Sequence, residues 1–267
     1  MKKNILLLLI IILSGFLKGS AQTYALAPDS TDSNKTKQEN KVSGSFEMNY
    51  LRHYIWRGSE FGNNDVAQPE LVLTHNNFSL ALSANLNYIP KNVPKEYYSR
   101  NALFDEQDVE IRYANKWGKF DCEFKAMAYF YFSQINTPNT AELYSWTGYP
   151  IWKELSFFTE NSIDVINYRG AVYSNNGLYF EHSFPRNLNI EWSAYAGFAN
   201  KKFNTIYFES EKSGINLVGS NLAVSKDIKN FYIKVAGELN HYTNNRIKIS
   251  TGLNGTNNFV LAAGVNF

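Results

Sequence analysis

Residues 78–88 read FSLALSANLNY, and they decide the fold. Phe78, Leu80, Leu82, Ala84, Leu86 and Tyr88 alternate with Ser79, Ala81, Ser83, Asn85 and Asn87. A period of two puts one set on each face of a β-strand, whereas a helix would scatter the same residues round its circumference. Working outward, Phe46, Met48, Tyr50, Tyr54 and Trp56 alternate with Ser45, Glu47, Asn49, His53 and Arg57. Phe120, Cys122, Phe124, Ala126, Ala128, Phe130 and Phe132 alternate with Asp121, Glu123, Lys125 and Tyr129, and Leu188, Ile190, Trp192, Ala194, Ala196 and Phe198 with Asn189, Glu191, Ser193 and Tyr195. Faces this regular meet two different environments.

The pattern predicts strands at 43–58, 66–75, 77–90, 107–116, 119–133, 140–149, 152–165, 174–184, 187–199, 214–226, 229–242 and 256–267, twelve in all. Neither face is cleanly apolar at 140–149 and 214–226. The connections take turns: those at His75–Asn77, Lys116–Gly118, Tyr149–Ile151, Pro185–Asn187 and Lys226–Lys229 are tight, whereas 59–65, 91–106, 134–139, 166–173, 200–213 and 243–255 are longer. An even strand number, short turns at one end and long loops at the other are the marks of a bacterial outer-membrane barrel, with the short turns in the periplasm. Strands of a soluble sandwich average about 5–6 residues. Several of these are twice that, the length a tilted strand needs to cross the hydrocarbon layer. The expected fold class is therefore all-β, an antiparallel transmembrane β-barrel occupying 43–267.

The residues before it read differently. Lys2 and Lys3 precede an apolar run from Ile5 to Leu13, and Gly19, Ser20 and Ala21 follow, the pattern of a cleavable signal peptide over 1–21 with the cut after Ala21. Residues 22–42 are rich in Ser, Thr, Asn, Lys and Gln with no apolar period, and read as a flexible periplasmic lead-in.

Composition narrows the function. The 267 residues carry 18 Tyr and 19 Phe, 16% aromatic overall, and a formal charge of +2 without a basic run. Nucleic-acid binding needs clustered Lys and Arg, so no nucleic-acid partner is expected. A lone cysteine, Cys122, excludes an internal disulfide and a thiolate zinc site, and on its strand it is expected to face lipid. The aromatic surplus suits the girdles of a bilayer-embedded barrel, with Trp56, Trp117 and Trp152 near strand ends. Phe259, Leu261, Ala263, Val265 and Phe267 end the chain on an amphipathic strand with a terminal aromatic, like the signal read by the barrel assembly machinery. Expected surroundings are therefore outer-membrane lipid.

Catalytic chemistry finds little support. His182 and Ser183 are adjacent in one strand, so they point to opposite faces and form no nucleophile and base pair. His53 falls on the inward parity, His75 in a tight turn and His241 at the outer rim, and Asp105, Glu106 and Asp108 lack the glycine spacing of a calcium loop. No enzyme activity, cofactor or metal is expected.

The polar parity carries Glu47, Arg57, Glu70, Asp108, Glu110, Arg112, Asp121, Glu123, Lys125, Glu154, Glu181, Glu191, Lys234 and Glu238, ten acids to four bases. Charges inside a membrane-spanning element persist where they face water or pair with each other. Separated by water, they make a conducting, cation-biased lumen. If Arg57, Arg112, Lys125 and Lys234 each bridge neighbouring carboxylates, they make a polar plug. Twelve strands lie between the roughly eight that side chains fill and the 16–18 of an open porin, so size leaves both outcomes standing. The leading reading is a porin-like channel for passive diffusion of small hydrophilic solutes. A non-conducting structural or adhesive barrel, with loops 91–106, 200–213 and 243–255 meeting a partner, is the alternative, and an outer-membrane enzyme comes third.

Tyr54, Ile55, Trp56, Arg57 and Gly58, followed by Gln68 and Pro69, resemble the first hairpin of the TorF-type porins, a family of small exported outer-membrane barrels. The acidic start of the fourth strand at Asp105, Glu106 and Asp108 and the apolar closing strand are similar too. The resemblance implies a channel, with no enzymatic activity or established substrate attached to the family.

Overall fold

The computed structural model describes residues 42–60, 65–87, 106–131 and 137–267. The signal peptide and lead-in up to residue 41, the 91–105 segment with Asp105, and residues 132–136 lie outside these residues. Twelve antiparallel strands close into one barrel. They are β1 (Ser43–Leu51), β4 (Val66–His75), β5 (Phe78–Asn87), β6 (Glu106–Trp117), β7 (Phe120–Phe130), β8 (Thr140–Trp152), β9 (Leu155–Asp164), β10 (Val172–Phe184), β11 (Leu188–Ala199), β12 (Gly214–Ile228), β13 (Phe231–Tyr242) and β14 (Gly255–Asn266). A two-stranded hairpin, β2 (Ile55–Trp56) with β3 (Ser59–Glu60), and two short helices, α1 (Lys201–Phe208) and α2 (Asn245–Thr251), sit in the long connections. Closure is made by β1 against β14, in register from Ser45 opposite Asn266 to Leu51 opposite Val260.

The period of two sorts the side chains as hydrogen-bonded strands require. Leu80, Leu82, Ile111, Phe124, Leu222, Ile233, Val235, Phe259 and Leu261 stand exposed on the outer wall. Glu47, Asn49, Glu110, Lys234, Ala262 and Asn258 are buried within. An apolar exterior round a polar interior is the inverse of a water-soluble globule and matches a wall that meets hydrocarbon. Among the described residues no helix is long and apolar enough to cross a membrane, so any crossing is by strands.

The short-turn end shows its chemistry in the backbone. Asn76, Gly118, Arg186, Asn187 and Lys229 all adopt positive φ, as two-residue hairpin turns demand. One expected turn moves. The chain does not reverse at Tyr149–Ile151; β8 continues through a bulge near Pro150 to Trp152, and the reversal falls at Lys153–Glu154. Pro150 lacks the N–H that would continue a regular ladder, and a bulge accommodates it.

The first strand also differs from expectation. It stops at Leu51 rather than 58, and the chain turns inward. Arg57 (φ 51°) and Gly58 (φ 78°) form the two-residue turn of the β2–β3 hairpin, with both central residues left-handed. Trp56 is thereby buried at 7% exposure instead of joining a girdle, whereas Trp117 (50%) and Trp152 (71%) stand on the outer surface.

The two strands of unclear parity have separate explanations. In β8 the inner face is aromatic and the outer face partly polar: Trp146 is buried, and Ser145 and Thr147 take the outward positions between Leu143 and Tyr149. In β12 a bulge inserts Asn216, so that Phe198 opposes Ile215 and Gly197 opposes Leu217. The extra residue exchanges the faces, and the alternation read across it cancels.

Candidate functional site: the lumen and its outer mouth

The interior holds a cavity of ≈ 230 Å³, lined among others by Arg57, Glu70, Glu110, Arg112, Asp121, Glu123, Lys125, Glu142 and Glu238. Glu47, Glu191 and Lys234 share the inward parity of their strands, and Glu47 and Lys234 are buried.

On one wall, β6 and β7 bring four charges together. Arg112 lies 2.6 Å from Glu110 and 3.6 Å from Glu123, and Lys125 lies 3.0 Å from Glu123 and 3.7 Å from Glu110. Arg112 and Lys125 are directly opposite in the ladder, so two cations side by side are held by two carboxylates shared between them. Lys125 also sits 4.9 Å above the Tyr144 ring. On another wall, Lys234 Nζ lies 3.0 Å from Glu47, and the Tyr232 hydroxyl donates to the same carboxylate at 2.5 Å. Glu238 accepts from Tyr195 at 3.2 Å and from Asn240 at 2.7 Å. Asp121 pairs with Lys116 at 3.3 Å near the short-turn end.

Three pairs of acids face each other across the ladder, Glu47 opposite Glu70, Glu142 opposite Asp164 and Glu181 opposite Glu191. Like charges directly opposite are unfavourable in a sheet unless cations or water separate them. Lys234 relieves the first pair through Glu47. Glu154, by contrast, stands at the β8–β9 turn, 3.4 Å from His182 and away from this interior.

At the long-loop end an aromatic assembly is centred on Arg57. Its guanidinium donates to both oxygens of Glu142, at 2.7 and 2.6 Å, in the fork geometry that suits a carboxylate. The same cation lies 4.1 Å over Trp56, 5.3 Å over Tyr173 and 5.8 Å over Phe203. Trp56 packs on Phe203 and Tyr207 of α1, and edge-on to Tyr129. Tyr129 donates to Glu142 at 3.0 Å, and Tyr242 donates to the Gly58 carbonyl at 2.5 Å, tying the hairpin tip to β13. His53, at the break after β1, neighbours Glu60 at 3.1 Å.

Why α1 sits there is written in three asparagines. Asn200 caps the helix by accepting from Phe203 N at 2.9 Å; the same oxygen accepts from Val172 N at 3.1 Å, and its amide donates to Gly170 O at 2.8 Å. Asn204 and the bulged Asn216, both fully buried, exchange amide hydrogen bonds at 3.0 and 2.6 Å. Ser250 of α2 donates to Phe208 O at 2.7 Å, bracing the far end of α1. Burial, then the nearby Glu142, pushes the Tyr207 phenol up, and burial and Asp164 push up that of Tyr168, so both rings of the cap are neutral at physiological pH.

Glu142 was invisible in the sequence because it lies on the strand whose polar and apolar faces are mixed. Its partner Arg57 reaches the lumen through the inward hairpin and not through strand parity. An arginine held at positive φ beside glycine is the local signal that the first strand ends early.

The chain matches no protein-family model and no curated protein sequence. Solved structures do resemble it. The NanC porin superposes with a TM-score of 0.55 at 10% identity, over 83% of this chain and 100% of that one. The KdgM porin gives 0.47 at 10% identity over 83% and 99%, and the COG4313 outer membrane channel from Pseudomonas putida F1 gives 0.48 at 7% identity over 94% and 100%. At such identities the likeness is one of architecture: the chain is a closed antiparallel barrel of the kind the NanC porin displays.

Proposed function

We propose that this protein is an outer-membrane channel of narrow bore for small hydrophilic solutes, cation-preferring, whose outer mouth is closed here by the Arg57 hairpin and α1. The observation that carries the reading is the charge balance of the wall. Among the described residues every inward cation on it is matched to a carboxylate, Arg57 to Glu142, Arg112 and Lys125 to Glu110 and Glu123, Lys116 to Asp121, and Lys234 to Glu47. Glu70, Glu191 and Glu238 are additional to those pairs, and leave the lumen acidic. An acidic ring favours cations by the same Coulomb term that pairs it with lysine.

In this reading the leader of 1–21 is cut after Ala21, residues 22–42 hang in the periplasm, 43–267 form the barrel, and the barrel assembly machinery engages the strand ending in Phe267. Membership among the TorF-type porins, suggested by Tyr54–Gly58, belongs to the same proposal. No catalytic role is assigned to any lumen group.

The test is single-channel recording of refolded protein in a planar bilayer across a salt gradient. Discrete steps with a cation-biased reversal potential are expected, and Glu110→Gln with Glu123→Gln should shift that potential toward zero. Folded protein that stays silent, with the mouth opened by Arg57→Ala as well as closed, would overturn the channel.

A further inference from the structure

The outer wall carries a polar island. In successive cross-strand rows, Leu143, Ile163 and Val172 are followed by Ser145, Asn161 and Ser174, then by Thr147, Thr159 and Asn176, then by Tyr149, Phe157 and Leu178. Two polar rows three strands wide thus lie between two apolar rows. The flanking strands close the frame, with Phe124 and Cys122 beside β8 and Phe198 and Ala196 beside β10. Given strand and residue spacings, the island measures about 10 by 7 Å.

Its surroundings are lipid-facing by exposure: Leu143 51%, Phe157 44%, Phe124 43% and Phe198 40%. Asn161 and Asn176 are themselves exposed. Hydrogen bonds link the island internally, Asn161 to Thr159 at 3.3 Å, Ser174 to Asn161 at 2.8 Å and Asn176 to Ser174 at 3.0 Å. Those bonds engage one amide proton of each asparagine, and an amide carries two. Hydrocarbon offers the second proton no acceptor, and leaving polar groups there is costly. Ser220, an outward hydroxyl on β12, by contrast receives the Trp192 indole N–H at 3.1 Å.

We propose that this island on β8–β10 is the contact face of a two-fold homodimer within the membrane. The occupant follows from the chemistry. Asparagine is donor and acceptor at once, so an island of this composition is complementary to its own copy turned by a half-turn, which is what an isologous interface requires. The apolar frame then packs against its counterpart and keeps lipid from the polar centre, as small hydroxyl and amide residues do between membrane helices. A lipid headgroup is excluded by depth, because apolar rows lie on both sides of the island along the strands. The inference rests on the barrel crossing a bilayer and is independent of whether its lumen conducts.

The experiment uses the full chain with Cys122→Ser, in native outer membranes, carrying either Asn161→Cys or, about a quarter of the way round the wall on β12, Leu222→Cys. A short thiol cross-linker should give a dimer band with Asn161→Cys and none with Leu222→Cys. Asn161→Leu with Asn176→Leu should convert detergent-purified dimer to monomer while the barrel still folds, since apolar residues suit the lipid face. Equal cross-linking at both positions, a ladder extending beyond two, or an unchanged dimer in the double leucine variant would each overturn the proposal.

Discussion

At the scale of the residue, Arg57 concentrates the most interactions in the fewest atoms. A left-handed backbone, a bidentate carboxylate and three aromatic faces meet on one guanidinium. Both partners of its ion pair are nearly dry, with side chains 7% and 4% exposed. Removing one partner of such a pair typically costs about 3–5 kcal/mol, because the other charge stays buried and alone. Arg57→Ala is therefore expected to lower the unfolding midpoint in urea and, in bilayers, to raise conductance by freeing the hairpin; unchanged conductance from folded variant would mean that the hairpin does not obstruct the lumen. Lysine is a poor replacement here. A point charge cannot reproduce the fork on Glu142, and it stacks less well on Trp56.

Single elements show how much of this was legible beforehand. Strands such as β5, β7 and β11 declare themselves by strict alternation, because lipid on one side and polar interior on the other leave each position a single choice. The exceptions are the informative places. In β8 the rule is inverted twice, with Trp146 inside serving the packed interior and Ser145 and Thr147 outside building the island. In β12 the alternation is real on each side of Asn216 and lost only when read across it. That bulge also does structural work at a distance, since Asn216 reaches the buried amide of Asn204 and holds α1 over the mouth. Leaving a buried amide without its partner costs about 1–3 kcal/mol. Asn216→Ala should accordingly make the 200–213 connection sensitive to added protease while the barrel strands stay resistant; equal resistance in both proteins would assign α1 to other anchors. The hairpin at 55–60 was unreadable for a different reason, since Trp56 continues the even parity of Phe46, Met48, Tyr50 and Tyr54, and only the positive-φ pair Arg57–Gly58 after it betrays the turn.

For the whole molecule, the two ends differ in build, tight turns with left-handed residues at one and helices with an aromatic cap at the other. In intact cells a membrane-impermeant reagent should label cysteines placed in 200–213 and spare those at Pro185 and Arg186; the opposite pattern would invert the orientation. The seam between β1 and β14 has a consequence of another kind. All other ladder neighbours except β1 and β4 are consecutive strands, and even those two are separated only by the small hairpin, so each can zip as soon as its two strands exist. The seam alone joins opposite ends of the chain. Until it forms, an open sheet offers two rows of unpaired amides to a medium with no hydrogen bonds to give. Local pairings can thus precede one long-range step that needs both β1 and β14, and by the loop-closure cost of so distant a pairing ring closure is the expected slow step of assembly.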